Sequence, residues 1–196
     1  MWPAVLAARL QADKSTARIA VVNAGISGNR ILGDNAGGVV RLSRDALDVP
    51  GVKWIILLEG INDISFAMRQ SSSTFSADDL IAAYRQVIEA AHLRGIKVIG
   101  CTMTPYGGSG GYKDAGEAIR EAANNWIRTG GQFDAVVDFE AATRDSADPK
   151  RFRAEAASPD MLHPGDAGYK LMADAINLAI FSARPAGKSS EASNAH

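Results

Sequence analysis

Short apolar runs alternate with segments of helical periodicity along most of this chain. The apolar runs cover residues 17–25, 52–60, 96–105 and 133–140, and each contains several aliphatic or β-branched side chains. Such runs predict parallel strands buried on both faces, because a strand with one wet face would alternate apolar and polar residues. The order of strands and helices therefore predicts an α/β fold, in which helices cover both faces of a parallel sheet.

The segments between these runs predict helices. They cover residues 3–12, 38–47, 76–95, 113–131 and 164–181. The clearest is 76–95, which begins with Ser76 as an N-cap, carries acidic residues in its first turn and ends at Gly95. A chain of 196 residues is long enough for one domain with a core. We assign residues 1–183 to that domain and predict that the small, polar residues 184–196 form a disordered tail.

The composition argues against several classes of function. The formal net charge is −1, so no basic surface for nucleic acid is expected. No apolar run reaches the roughly 18 residues of a membrane span. The first residues lack the basic start and cleavage site of a signal peptide, so the chain as it stands is expected in the cytoplasm. Cys101 is the single cysteine, and the three histidines, at positions 92, 163 and 196, are far apart in the sequence. Neither a metal nor another cofactor is therefore predicted.

Polar or glycine-rich segments follow the predicted strands. They are residues 23–29, 59–63 and 102–111, and a long loop that carries Asp160 and His163. The carboxyl ends of parallel strands meet at one edge of a sheet, where ligands bind. An aspartate that orients a histidine is typical of a catalytic base. Each feature also has a structural alternative, since the glycines could serve turns, Asn62 could cap a helix and the loop pair could be solvated.

Three motifs resemble those of the SGNH, or GDSL-type, hydrolases. They are NAGISGN at 23–29, LLEGINDI at 57–64 and DMLHPGDAGY at 160–169, and the resemblance extends from Trp2 to about Phe181. It implies a flavodoxin-like, three-layer α/β/α sandwich and cleavage of esters by a serine nucleophile. It also implies that the Gly28 N–H and the Asn62 amide bind the oxyanion, that His163 is the general base and that Asp160 orients it.

The residue types suit this chemistry. Attack on an ester carbonyl places negative charge on its oxygen, and one prepositioned N–H donor there can contribute roughly 3 kcal/mol. A histidine can accept the proton of the nucleophile and return it to the leaving alcohol. The reaction needs no metal, because the donors supply the electrophilic assistance.

The nucleophile is the part of the family pattern that this sequence lacks. The family's Gly-Asp-Ser block is absent. In the family that block ends a central strand, which would lie between the strands predicted at 19–23 and 53–59. The chain thus looks N-terminally truncated relative to the family, and its sheet is expected to lack or replace the first central strand. The flanking strands could close on each other, or a homo-oligomer could exchange strands. Ser27, Ser65 and Ser109 are the substitute hydroxyls considered, and Ser27 is the best placed.

Three hypotheses for function follow. The first is a carboxylic ester hydrolase that acts on short acyl esters of small molecules. The second is a degenerate, non-catalytic member of the family, and the third is a carbohydrate deacetylase. No long apolar lid segment is visible, which favours small, exposed substrates over lipids. In an active site of this type the imidazole of His163 should face a pocket lined by Gly28 and Asn62.

Overall fold

Three parallel strands form the sheet among the residues that the structure describes. A computed structural model describes residues 1–71 and 74–182. The strands are β1 (Trp54–Leu57), β2 (Lys97–Cys101) and β3 (Ala135–Val137), in the spatial order β1-β2-β3. Trp54 pairs with Lys97 across the first ladder and Ile99 pairs with Ala135 across the second. The predicted parallel sheet is confirmed, and the tail predicted at 184–196 lies outside the described residues.

Helices precede, connect and follow these strands. In chain order they are α1 (Trp2–Ala12), α2 (Gly38–Leu42), α3 (Ile61–Arg69), α4 (Ala77–His92), α5 (Asp114–Thr129), α6 (Phe139–Thr143), α7 (Asp166–Ala175) and α8 (Ala179–Ser182). A π-helical turn over Ser43–Leu47 follows α2 directly. In the part of the chain described here, no helix is long and apolar enough to cross a membrane.

Two apolar clusters lie on opposite faces of the sheet. Val98 of β2 belongs to the first cluster, together with buried residues of α4 and α5. Its neighbour Ile99 belongs to the second cluster, together with buried residues of α1 and α7. Successive side chains of a strand point to opposite faces, so this division places helices on both sides of the sheet. The α/β architecture with two helical layers is thus confirmed.

The first predicted strand, at residues 17–25, is wrong. Residues 19–26 form neither helix nor strand, although Ile19 and Val21 are partly buried while Ala20 and Val22 are exposed. Within the described ranges, the backbone N–H groups of residues 20–22 have no hydrogen-bond partner. The segment therefore has the two-residue period of a strand without the ladder that defines one. It does not close on β1, so β1 forms an edge of the sheet.

Several predicted boundaries also change. The remaining strands are shorter than their apolar runs. The last run ends in a helix, because Asp138 caps α6 by accepting a hydrogen bond from the Ala141 N–H at 3.0 Å. The sequence did not predict α3, which begins within the motif at 57–64. The last predicted helix is interrupted at residues 176–178. Each change depends on caps or tertiary contacts that apolar periodicity does not report.

Candidate active site

Asp160 and His163 form a tight pair. The Nδ1 atom of His163 lies 2.6 Å from Oδ2 of Asp160. The carboxylate also accepts the backbone N–H of His163 at 2.9 Å and the hydroxyl of Ser158 at 2.6 Å. These hydrogen bonds, that of the His163 ring first, hold the pKa of Asp160 well below its usual range. An ionised carboxylate only accepts, so Nδ1 carries the proton and Nε2 of the neutral ring is left as an acceptor.

The loop around this pair is closed by its own backbone. Ala157 and Pro164 form an isolated antiparallel bridge, and the Ser158 N–H donates to the His163 carbonyl at 3.1 Å. Met161 lies at the tip with φ of 56°, in the left-handed region that non-glycine residues seldom adopt. The aspartate is thus three residues from the histidine in a loop whose shape is fixed locally, and α7 begins three residues later.

The imidazole of His163 is accessible. Its side chain is 56% exposed. Over the described ranges, Asp160 is the only residue that hydrogen-bonds the ring, so no serine hydroxyl is attached to Nε2. The pair is therefore an oriented imidazole with an open acceptor, and its role as a catalytic base stays a prediction. In the part of the chain that the structure describes, no hydrogen bond links the pair to Asn62 or Gly28, and the pocket predicted between these residues stays a prediction.

The motif at 57–64 binds the first glycine-rich loop. The Asn62 amide donates to the Asn29 carbonyl at 2.9 Å. Asp63, which is only 3% exposed, accepts the N–H groups of Ile31 and Leu32, each at 2.9 Å. Burial raises the pKa of Asp63, and these two backbone donors oppose the rise. The first turn of α3 thereby holds the loop that contains Gly28.

The two predicted oxyanion donors are close to each other as a result. Gly28 directly precedes Asn29, the residue that Asn62 binds, and has φ of 73°, which favours glycine. The Asn62 amide has two N–H groups and uses one of them on Asn29. The arrangement brings Gly28 and Asn62 close together, as the resemblance implies. Their role in binding an oxyanion stays a prediction.

Gly60 is required by close packing. Its φ is 124°, and a Cβ atom there would lie 2.7 Å from the Tyr84 hydroxyl oxygen and 2.9 Å from the Met103 sulfur. That Tyr84 hydroxyl donates to the Glu59 carbonyl at 2.8 Å. The chain can therefore turn from β1 into α3 at this point only with glycine.

Arg41 and Glu59 were not predicted as part of the site. The Arg41 guanidinium donates to the Ala24 carbonyl at 2.7 Å and to Asp45 at 2.7 Å, and it lies 3.8 Å from the Glu59 carboxylate. Burial first, and then the nearby charge of Asp63, raise the pKa of Glu59 to about 7, against the opposing effect of Arg41. The sequence does show a glutamate at the end of a buried apolar run, which could have indicated Glu59. It does not indicate that a residue of α2 pairs with this glutamate.

The third strand-end loop lies against the loop of the histidine. Gly107 donates its N–H to the Lys150 carbonyl at 2.7 Å. A Cβ atom at Gly108 would lie 3.7 Å from that of Met161, the residue between Asp160 and His163. The expected meeting of strand-end loops is thus observed for residues 102–111 and the histidine loop.

A buried ionic network holds the start of that third loop. Arg120 is 1% exposed and contacts Glu117 at 2.6 Å, Glu140 at 2.9 Å and the Met103 carbonyl at 3.0 Å. Asn124 accepts the Met103 N–H at 2.8 Å. Sequence reasoning missed this network, because its members lie on α5, α6 and the end of β2.

One protein-family model matches most of this chain. The model of the GDSL-like lipase/acylhydrolase family matches residues 1–171. The chain belongs to this family. No curated protein sequence matches the chain. The GDSL-like assignment confirms the resemblance drawn from the three motifs.

Solved structures similar to this GDSL-like protein include esterases. The acetyl xylan esterase AlAXEase has 22% identity and a TM-score of 0.70, with 89% of this chain and 87% of that one covered. Axe2, an acetylxylan esterase from Geobacillus stearothermophilus, has 21% identity and a TM-score of 0.71, with 93% and 81% covered. A GDSL-like lipase from Bacteroides thetaiotaomicron has 18% identity and a TM-score of 0.60, with 73% and 68% covered. At these identities the similarity establishes the shared fold.

The serines considered as substitute nucleophiles occupy different environments. Ser27 is exposed in the loop that Asn62 holds. Ser65 and Ser109 are buried, and the Ser109 hydroxyl has no hydrogen-bond partner among residues 1–71 and 74–182. In the described part of the chain, none of the three is hydrogen-bonded to His163, so none is paired with the predicted base.

Proposed function

We propose that this protein is a carboxylic ester hydrolase that acts on short acyl esters of small molecules. In this proposal His163 is the general base, Asp160 orients it, and the Gly28 N–H and the Asn62 amide bind the oxyanion. The observation that carries it is the His163–Asp160 hydrogen bond of 2.6 Å on an accessible imidazole. Membership of a family of lipases and acylhydrolases supports the same reaction class.

The proposed reaction is acyl transfer. Nε2 of His163 accepts the proton of an attacking hydroxyl as that oxygen bonds to the ester carbonyl carbon. Charge develops on the carbonyl oxygen, where the two N–H donors stabilise it. The imidazolium, stabilised by Asp160, then gives its proton to the leaving alcohol as the ester bond breaks, which leaves the acyl group on the attacking oxygen. Water next attacks this acyl group and gives its proton to Nε2, and the side-chain oxygen leaves and regains the proton as the carboxylic acid is released. Ser27 is the candidate for the attacking hydroxyl, because its loop carries Gly28.

Acetyl groups on carbohydrate are a second candidate substrate. Two of the structures with the same fold are described as acetylxylan esterases. In this chain the residues proposed to act, Gly28 and His163, are exposed, which suits an acyl group carried on a large polar molecule. Acetate release from acetylated xylo-oligosaccharides, compared with hydrolysis of a simple acetyl ester, distinguishes the two substrate classes.

The test uses a chromogenic acetyl ester and two matched histidine variants. His163→Ala should lower the rate by about 10²- to 10⁴-fold, the usual contribution of a general base. His92→Ala is the control, since His92 also pairs with an aspartate, Asp134 at 2.8 Å, but lies at the end of α4. Asp160→Asn should cost less than His163→Ala and leave the fold intact. Equal rates for both histidine variants would contradict the proposed base.

The pH profile gives an independent readout. The rate should fall in acid, because a protonated imidazole cannot accept the proton of the attacking hydroxyl. A separate Ser27→Ala variant tests the hydroxyl, and an unchanged rate would exclude Ser27 as the nucleophile. If the wild-type chain hydrolyses neither simple esters nor acetylated sugars, the degenerate, non-catalytic alternative is the correct one.

A further inference from the structure

The Arg30 guanidinium lies over the ring of Phe66. Its Cζ atom is 3.9 Å from the ring centroid, within the distance of about 6 Å at which a cation and an aromatic face attract each other. Phe66 is 38% exposed and Arg30 is partly buried, so the contact lies at the surface. Among residues 1–71 and 74–182, the guanidinium has neither a hydrogen-bond partner nor an ion-pair partner. Its N–H donors are therefore held in place by the ring and are open to another molecule.

The carboxylate of Asp63 does not occupy these donors. Both of its oxygens accept backbone N–H groups, those of Ile31 and Leu32, each at 2.9 Å. Burial raises the pKa of Asp63, and the positive charge of Arg30 is one of the effects that oppose the rise. The two side chains thus interact through their charges without a direct contact, because Asp63 is buried and committed to the loop.

The Arg30–Phe66 contact lies beside the predicted oxyanion donors. Phe66 follows Asn62 by four residues in α3, so the two side chains share one face of the helix, with Cβ atoms about 5–6 Å apart. Side chains of a helix lean toward its N-terminus, which brings the Phe66 ring over the turn that carries Asn62. Arg30 directly follows Asn29, whose carbonyl accepts the Asn62 amide at 2.9 Å. Both members of the contact are therefore neighbours of the residues predicted to bind the oxyanion.

We propose that Arg30 binds a carboxylate on the part of the ester substrate that does not react, so that the protein prefers acyl esters of anionic molecules. A guanidinium presents two parallel N–H donors that match the two oxygens of a carboxylate. The Phe66 ring orients the guanidinium before the substrate arrives, which reduces the entropy lost on binding. The inference rests on the proposed ester hydrolysis, because it names the substrate class of the same site.

The position of the carboxylate determines which kinetic constant changes. The group is remote from the reacting carbonyl, so its contact with Arg30 is the same in the bound substrate and in the transition state. Binding of this kind lowers KM and leaves kcat unchanged. A purely structural role of Arg30 would instead affect charged and neutral substrates alike.

The activity test compares para-acetoxybenzoate with its neutral counterpart, para-acetoxybenzamide. Arg30→Gln should raise the KM for the benzoate about tenfold, while the KM for the benzamide and both kcat values stay unchanged. Arg85→Gln is the matched control, because Arg85 also lies over an aromatic ring, that of Trp126 at 5.5 Å. Arg85 donates to Gln132, which precedes β3 and so lies at the opposite edge of the sheet. Equal effects of the two substitutions would overturn the inference.

Binding of unreactive analogues separates this inference from the proposed function. para-Acetamidobenzoate and para-acetamidobenzamide carry an amide in place of the ester, and titration calorimetry gives their Kd values. Wild type should bind the benzoate about tenfold more tightly, and Arg30→Gln should bind the two equally. If Arg30 provides this preference but no ester is hydrolysed, the carboxylate site stands and the proposed reaction fails. If wild type shows no preference for the benzoate, the inference is overturned, whether or not esters are hydrolysed.

Discussion

Replacement of Glu59 by glutamine should stabilise the protein relative to wild type, and by more at pH 8 than at pH 4. Burial is the main reason that the pKa of Glu59 rises from 4.5 to about 7. Below pH 4.5 the carboxyl is protonated in both the folded and the unfolded chain. Between pH 4.5 and 7 the unfolded chain loses this proton while the folded chain keeps it, so wild-type stability falls as the pH rises.

The size of the effect follows from the same two values. The interval from 4.5 to about 7 corresponds to about 3 kcal/mol of unfolding free energy, at about 1.36 kcal/mol per pH unit. Glu59→Gln cannot ionise and avoids this loss. The charge contact with Arg41 at 3.8 Å is already contained in the pKa of about 7, because it opposes the rise that burial causes. The expected gain of the variant over wild type is therefore about 3 kcal/mol at pH 8 relative to pH 4.

Urea unfolding of both proteins at pH 4, 5.5 and 8 measures this difference. The difference in unfolding free energy between the two proteins is taken at each pH. This removes the contribution of every other group whose titration the substitution leaves unchanged. Glu121→Gln, on the exposed side of α5, controls for the loss of one negative charge. A difference between wild type and Glu59→Gln that is the same at pH 4 and pH 8 would refute the reasoning, since burial of the ionised carboxylate would then carry no cost.

Two other substitutions test the supports of the site. Gly60→Ala should destabilise the fold by more than Gly51→Ala, because both glycines have positive φ but only at Gly60 would the new Cβ meet other atoms. Thermal unfolding of the two variants checks this, and similar losses would mean that backbone strain alone matters. Arg120→Ala should lower the unfolding free energy by about 3–5 kcal/mol, because it leaves Glu117 and Glu140 buried without their shared partner. Urea unfolding at pH 7 measures it, and a loss below about 1 kcal/mol would indicate that water replaces the guanidinium.

Local features of this protein could be predicted from the sequence. The helix α4 begins after Ser76, whose backbone N–H donates to Asp79 at 2.8 Å in a capping box. The pairing of Asp160 with His163 is equally local, since three residues and a closed loop bring the two side chains together. Both depend on residues close in the chain, and that is why a pattern can report them.

Contacts between distant segments could not be predicted in this way. The raised pKa of Glu59 depends on burial and on Asp63, and the guanidinium beside it comes from α2. The network of Arg120 joins α5 to α6 and to the end of β2. No spacing along the chain encodes such contacts, because they form only when the helical layers pack on the sheet.

The sequence by itself determined the alternation of strands and helices, the family and the pair of residues proposed as the base. The tertiary structure decided which apolar runs became strands. Residues 19–23 have the period and composition of a strand, yet their N–H groups find no ladder, whereas residues 97–101 pair on both sides. The physical reason is that side-chain period is a property of one segment, while a β-strand is a property of two or more, joined by hydrogen bonds.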